Sequence, residues 1–109
     1  MTSWEDFEKL KIHVGTILEV DDFPEVRKPA YKLLIDFGPV GKLKSSAQLT
    51  VIYSKEELLN KQVIAVVNFP PKQIANFMSE CLVLGIYGID NEIVLLQPER
   101  PVANGAKIG

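Results

Sequence analysis

Residues 43–67 read LKSSAQLTVIYSKEELLNKQVIAVV, and the order of elements in this stretch decides the fold. Leu43 to Tyr53 reads as a strand whose middle turns polar at Ser45, Ser46 and Gln48. Ser54-Lys55-Glu56-Glu57 then forms a capping-box pattern, a serine followed three residues later by an acid. The serine hydroxyl accepts from a free amide of the first helical turn, and the acid returns the bond to the cap residue. A helix of one or two turns is therefore expected through Leu59. Gln62 to Val67, rich in β-branched residues, is the next strand. The stretch is strand, short capped helix, strand.

Upstream, Ile12 to Asp22 carries Ile12, Val14, Ile17, Leu18 and Val20 and reads as a long strand. Its alternation breaks near Gly15, where a bulge or barrel bend is expected, and Asp22-Phe23-Pro24 ends it. Ala30 to Phe37 is the second strand, and Gly38-Pro39-Val40-Gly41 is a turn. At the start, Ser3-Trp4-Glu5-Asp6 repeats the capping box, and Trp4, Phe7 and Leu10 recur at helical spacing. So short a helix is unstable alone. Its aromatic face has to dock, either on its own domain or across a dimer interface, where Trp and Phe are enriched.

Downstream, the strand ending at Val67 runs into Asn68 and stops at Pro70–Pro71, because proline cannot donate to a ladder. Residues 68–80 then read as a loop carrying Phe69, Phe77 and Met78 beside Lys72, Ser79 and Glu80. Apolar side chains in a rigid loop among polar groups suggest a binding surface rather than a catalytic one. Cys81 to Ile89 and Glu92 to Gln97 flank Asp90-Asn91, read as a two-residue hairpin turn. The tail from Pro98 to Gly109 is expected to add a short edge strand. Short strands with one small helix between the third and fourth describe an all-β, five-stranded Greek-key barrel, the OB-fold. Residues 1–109 form a single domain of this kind, with a helix before the barrel and a hairpin and tail after it.

Composition excludes several functions. The chain has 109 residues, enough for one core and too few for two domains, with 47% apolar and 24% charged residues and a net charge of −2. No apolar run approaches the ~18–20 residues that span a bilayer, so no membrane insertion is expected. Residues 1–25 carry seven acids against Lys9 and Lys11, unlike a secretory or transit segment. The lone Cys81 forbids an internal disulfide and is read as a small core residue, and a cytoplasmic location is expected. His13 and Cys81 are the only soft ligands, so no metal, cofactor or catalytic residue is assigned. Gly38 to Lys42 lacks the spacing of a phosphate loop. Arg27, Lys28, Lys32, Lys42 and Lys44 face a single Asp36 between residues 27 and 44, a local basic segment in a mildly acidic chain.

Six blocks in order carry a resemblance: Ile12 to Ile17, Asp36 to Gly38, Lys44 to Thr50, Gln62 to Pro71, Met78 to Gly85 and Asn104 to Ile108. Together they resemble the tRNA-binding OB-domain family, found as stand-alone bacterial proteins and appended to aminoacyl-tRNA synthetases. Within it, Ser45-Ser46-Ala47-Gln48 in place of a serine followed by glycine is similar to the branch of CsaA-type protein-secretion chaperones. So is Asn68-Phe69-Pro70-Pro71 followed by one lysine, in place of Asn-Leu-Lys-Pro and further basic residues. Two positions depart from the wider family: His13 stands where arginine is usual, and Asn60 where glycine is common. Neutral histidine cannot replace a forked, permanent cation at a phosphate.

The resemblance implies a non-catalytic homodimer that binds non-native or export-bound polypeptide, joined through residues 1–11 and about 88–109. Trp4, Phe7 and Leu10 are its expected interface residues. The residue chemistry supplies a candidate peptide site of Ser46, Gln48, Asn68, Phe69, Pro70, Pro71, Lys72, Phe77, Met78, Ser79 and Glu80. Its apolar members offer a preordered surface, with methionine adapting to varied partners, and its polar members can bond a peptide backbone. Phe77 and Met78 have an alternative role closing the barrel bottom, and Asn68, Ser79 and Glu80 one in fixing loops at the rim. Lys32, Lys42, Lys44 and Lys72 form a basic rim suited to acidic chains or RNA. The alternative function is structure-specific tRNA binding through the OB face. The scarcity of arginine, only Arg27 and Arg100, counts against it.

Overall fold

A computed structural model describes all residues, Met1 to Gly109. Five strands make one antiparallel sheet: β1 (Ile12–Asp22), β2 (Tyr31–Asp36), β3 (Lys42–Ala47), β4 (Gln62–Val66) and a later strand, Leu82–Val83, in the order β3-β2-β1-β4 and then Leu82–Val83. The sheet nearly closes on itself, because the Glu80 N–H donates to Lys44 O (2.8 Å) and so brings the last strand back to the first in the row. This is the OB-fold expected from the element order. Strand β1 serves two neighbours, pairing Ile12 to Thr16 with β4 and Thr16 to Asp22 with β2.

Both capping boxes form. In α1 (Trp4–Lys9) the Asp6 N–H donates to Ser3 Oγ, and in α2 (Lys55–Leu58) the Glu57 N–H donates to Ser54 Oγ. Each acid returns the bond to its cap residue, and Ser54 thereby holds the Glu57 carboxyl below its ordinary pKa. Asn60, just beyond α2, has φ +67°, a left-handed conformation that glycine adopts freely and that asparagine tolerates better than most residues. Leu58 of α2 is fully buried and joins Ile17, Leu33, Ile35, Phe37, Leu49, Val63 and Ala65 in the core.

Several boundaries differ from expectation, each for a physical reason. The irregularity in β1 falls between Ile17 and Glu19, not at Gly15. Gly15 is instead where Phe37 and Ile35 pack against bare backbone: a Cβ there would lie 2.6 Å from Phe37 Cδ1. β3 stops at Ala47, because local bonds (Leu49 N–H to Ala47 O, Tyr53 N–H to Leu49 O) turn the chain so that Leu49 enters the core and Val51 does not. Residues 72–79 are not a loop. After the proline stop, β5 (Lys72–Ile74) and β6 (Phe77–Ser79) pair as a hairpin with Ala75 at φ +52° in its turn.

The expected strand from Cys81 is broken in two, β7 (Leu82–Val83) and β8 (Gly85–Tyr87). Leu84 switches partners between them: its N–H donates to Ile64 O (2.9 Å) while its C=O accepts from Leu96 N (3.3 Å). β8 pairs with β9 (Ile93–Leu95) around a three-residue turn, Ile89 to Asn91, rather than a two-residue one. Asn91 takes the left-handed conformation that such turns place at their end. The tail meets β1 at a single bridge, His13 to Lys107, flanked by Gly105 N–H to Val14 O and Ile108 N–H to Ile12 O. His13 reinforces it, its Nδ1 lying 2.9 Å from Gly105 O.

Candidate functional site

Ser46 is the hub of the candidate site, being half-buried at the outer edge of β3 where three surface clefts meet. The register of β2 with β3 sets Lys32 opposite Ser46, Leu34 opposite Lys44 and Asp36 opposite Lys42, so these alternate residues share the outer face of the barrel. The first cleft, of about 260 Å³, lies between β3, the proline segment and the β5–β6 hairpin. It gathers Ser46, Phe69, Pro70, Lys72, Ser79 and Glu80 from the expected site and adds Ile74, Cys81 and Leu82. The second, also about 260 Å³, runs from Ser46, Gln48 and Leu49 across to β7, β8 and Ile93. Leu82, like Ser46, lines both, so the two are neighbours.

Hydrogen bonds explain how the hairpin is seated. Ser46 N–H donates to Ser79 Oγ (3.1 Å), whose hydroxyl donates on to Cys81 O (3.4 Å). Lys44 N–H donates to Glu80 Oε1 (2.9 Å), reciprocating the Glu80 backbone bond to Lys44 O. Ser79 and Glu80 thus fasten the hairpin to β3 while forming one wall of the first cleft. Asn68 lies outside that cleft. Its Oδ1 accepts from Lys11 N–H (2.9 Å) and its Nδ2 donates to Lys9 O (2.7 Å), so its amide clips the end of α1 to the exit of β4. Pro71 is exposed and lines neither cleft.

The two bulky residues of the hairpin point apart. Phe77 turns toward the barrel and meets Phe23 edge-on, with centroids 5.5 Å apart. Met78, on the opposite face of β6, is 41% exposed. Lys44 Nζ sits 5.3 Å over the Phe77 ring and Lys32 Nζ 5.5 Å over the Phe23 ring. Glu19 and Asp21 line the same depression as these two lysines, so the middle of the basic rim is locally balanced. Lys42 and Lys72 are exposed at its ends.

Burial pushes the Cys81 thiol up to about 12, which leaves it protonated and unreactive near neutrality. No three His, Cys, Asp or Glu side chains gather as a metal site, and no helix is long and apolar enough to cross a membrane. Away from the clefts, α1 buries none of its residues, and Trp4 is 82% exposed, with Phe7 and Leu10 partly so. Ile86, Tyr87 and Ile89 of the β8–β9 hairpin are exposed as well. Ile74, Leu82 and Tyr87 escaped sequence reasoning. Their strands are only two or three residues long, too short for a periodic pattern to reveal a face.

Comparison with known proteins places residues 12–107 within the model of a family described as a putative tRNA-binding domain. The crystal structure of the CsaA chaperone from Picrophilus torridus superposes with a TM-score of 0.94 at 55% identity, over 100% of both chains. That of the Bacillus anthracis CsaA chaperone gives 0.95 at 48% identity, over 100% of this chain and 99% of that one. The methionine–tRNA ligase of Pyrococcus horikoshii is 39% identical over 105 residues, 96% of this chain but 14% of the enzyme.

Proposed function

The chain belongs to the tRNA-binding-domain family, in its CsaA-type branch, and from that premise we propose that it is a non-catalytic, homodimeric, cytoplasmic chaperone for non-native or export-bound polypeptide. The observation that carries this reading is the pair of neighbouring clefts meeting at Ser46 and Leu82, one lined by Phe69, Pro70 and Ile74 and the other by Leu49, Val83 and Ile93. The second cleft is mainly apolar and the first sets apolar residues beside Ser46, Lys72, Ser79 and Glu80, a mixture that suits polypeptide side chains and main chain better than phosphates alone. Within the expected peptide site, Ser46, Gln48, Phe69, Pro70, Lys72, Ser79 and Glu80 line the clefts, while Met78, Pro71 and Phe77 flank them. Asn68 supports the arrangement from behind. The uncovered aromatic face of α1, and the exposed side chains of Ile89, Val94 and Val102, support residues 1–11 and about 88–109 as dimerisation extensions.

A second reading, binding of tRNA by shape, is favoured by the family description and by the ligase relatives. Against it, Lys32 and Lys44 lie over aromatic rings beside Glu19 and Asp21, which lowers the positive potential a phosphate would meet. Binding to a reduced, unfolded polypeptide and to bulk tRNA, each at low and moderate salt, separates the two. The chaperone reading expects peptide affinity nearly indifferent to salt, and the RNA reading expects affinity that falls steeply as counterions return. Tight, salt-sensitive tRNA binding without peptide binding would replace the first reading with the second.

A further inference from the structure

β7 has one paired edge and one open edge. Because the Leu84 N–H donates to Ile64 O, ladder alternation turns the backbone groups of Leu82 and Leu84 toward β4 and those of Val83 and Gly85 away from it. Gly85 also faces away from β9. Its cross-strand partner Leu95 donates its N–H to Tyr53 Oη instead of to β8. The side to which Val83 and Gly85 turn is the one occupied by β3, yet β3 meets this segment only near its start, at Lys44–Glu80, Ser45–Cys81 and Ser46–Ser79. Beyond Ser46 the two chains diverge, and no backbone bond outside the strand ladders engages Gln48, Val83 or Gly85. The gap between them is the second cleft, about 260 Å³, with the buried side chains of Leu49 and Leu95 in its lining.

Backbone donors and acceptors at a sheet edge are a template for another strand. We propose that an extended segment of a client polypeptide occupies this gap by strand addition, its main chain bonding Val83 and Gly85 while an apolar side chain enters the cleft. This rests on the polypeptide-binding reading above and gives it a mode of recognition. Main-chain bonds are common to all sequences, which gives affinity for varied clients, and the small cleft admits alternate side chains of modest size. Gly85 places no side chain over the edge. No lysine or arginine lines the cleft, so a nucleic-acid strand would find no phosphate partner there.

The test uses the intact protein and a nine-residue peptide of alternating valine and serine with lysines at both ends. Two further versions carry N-methyl groups on alternate amides, one on the odd set and one on the even set. Strand addition expects one methylated version to bind at least tenfold more weakly and the other to stay within about threefold of the parent. It also expects the amides of Val83 and Gly85 to gain protection from hydrogen exchange when the parent peptide is added. Equal binding of all three versions overturns strand addition and leaves the polypeptide reading standing. Failure of every peptide to bind overturns both. Strand addition is also overturned if Val83 and Gly85 are already protected in a way that grows with protein concentration, which would mean a second copy fills the gap. Protection by a short oligouridylate in place of the peptide overturns it as well.

Discussion

Replacing Asn68 by alanine separates two roles that one side chain could play. Its amide makes two bonds, to Lys9 O at 2.7 Å and from Lys11 N–H at 2.9 Å, and both hold the end of α1. At about 1 kcal/mol for each net hydrogen bond, Asn68→Ala removes roughly 2 kcal/mol of anchoring, near a 30-fold change in the docked fraction. The neighbouring backbone bond from Val67 N–H to Lys11 O survives, so β1 and β4 keep their register. A six-residue helix has no stability of its own, so the α1 amides should exchange at close to unprotected rates. If α1 forms a two-fold interface, both protomers lose anchoring, and the dimer dissociation constant rises by up to ~10³-fold. Peptide affinity per site should move less than threefold.

Sedimentation over a dilution series, hydrogen exchange and peptide titration read these three quantities. Loss of peptide affinity with an unchanged dimer would show that Asn68 contacts the client directly and refute the clip. Freed α1 amides with an unchanged dimer would remove the helix from the interface. In that case Trp4→Ala/Phe7→Ala should also remain dimeric; otherwise that double variant should sediment as a monomer.

Two further outcomes test the barrel itself. Gly15→Ala forces a Cβ to 2.6 Å from Phe37 Cδ1 and 2.7 Å from Ile35 Cγ2, both on fully buried side chains, so a loss of about 1–3 kcal/mol and a melting point several degrees lower are expected by calorimetry. An unchanged melting point contradicts that packing. The Cys81 pKa is raised by burial from 9.0 to about 12 in the folded state, so its contribution is complete below pH 9 and declines as pH rises from 9 toward 12, by about 1.4 kcal/mol for each unit. Cys81→Ala should remove that alkaline slope from the denaturant-derived stability, whatever it costs at pH 7, and a slope shared equally by both proteins would show that other groups cause it.

Sequence alone determined whatever depends on partners a few residues apart. Ser3 with Asp6 and Ser54 with Glu57 cap their helices from three residues away, and Pro70–Pro71 ends a ladder because the missing N–H belongs to the residue itself. The long strands and the helix between β3 and β4 were legible for the same reason, and with them the barrel.

Only the tertiary structure decided which polar groups are left free and which edges are left open. Ser79 and Glu80 look like ligand-binding residues until β3, more than thirty residues away in the chain, takes their bonds. Asn68 looks alike until the end of α1 is set against it. Leu84 gives no local sign that it passes the chain from one ladder to another, and the open edge at Val83 and Gly85 exists only because β3 turns away after Ser46. Hydrogen-bonding capacity belongs to each residue, but whether it remains for a ligand depends on what the rest of the chain has already satisfied.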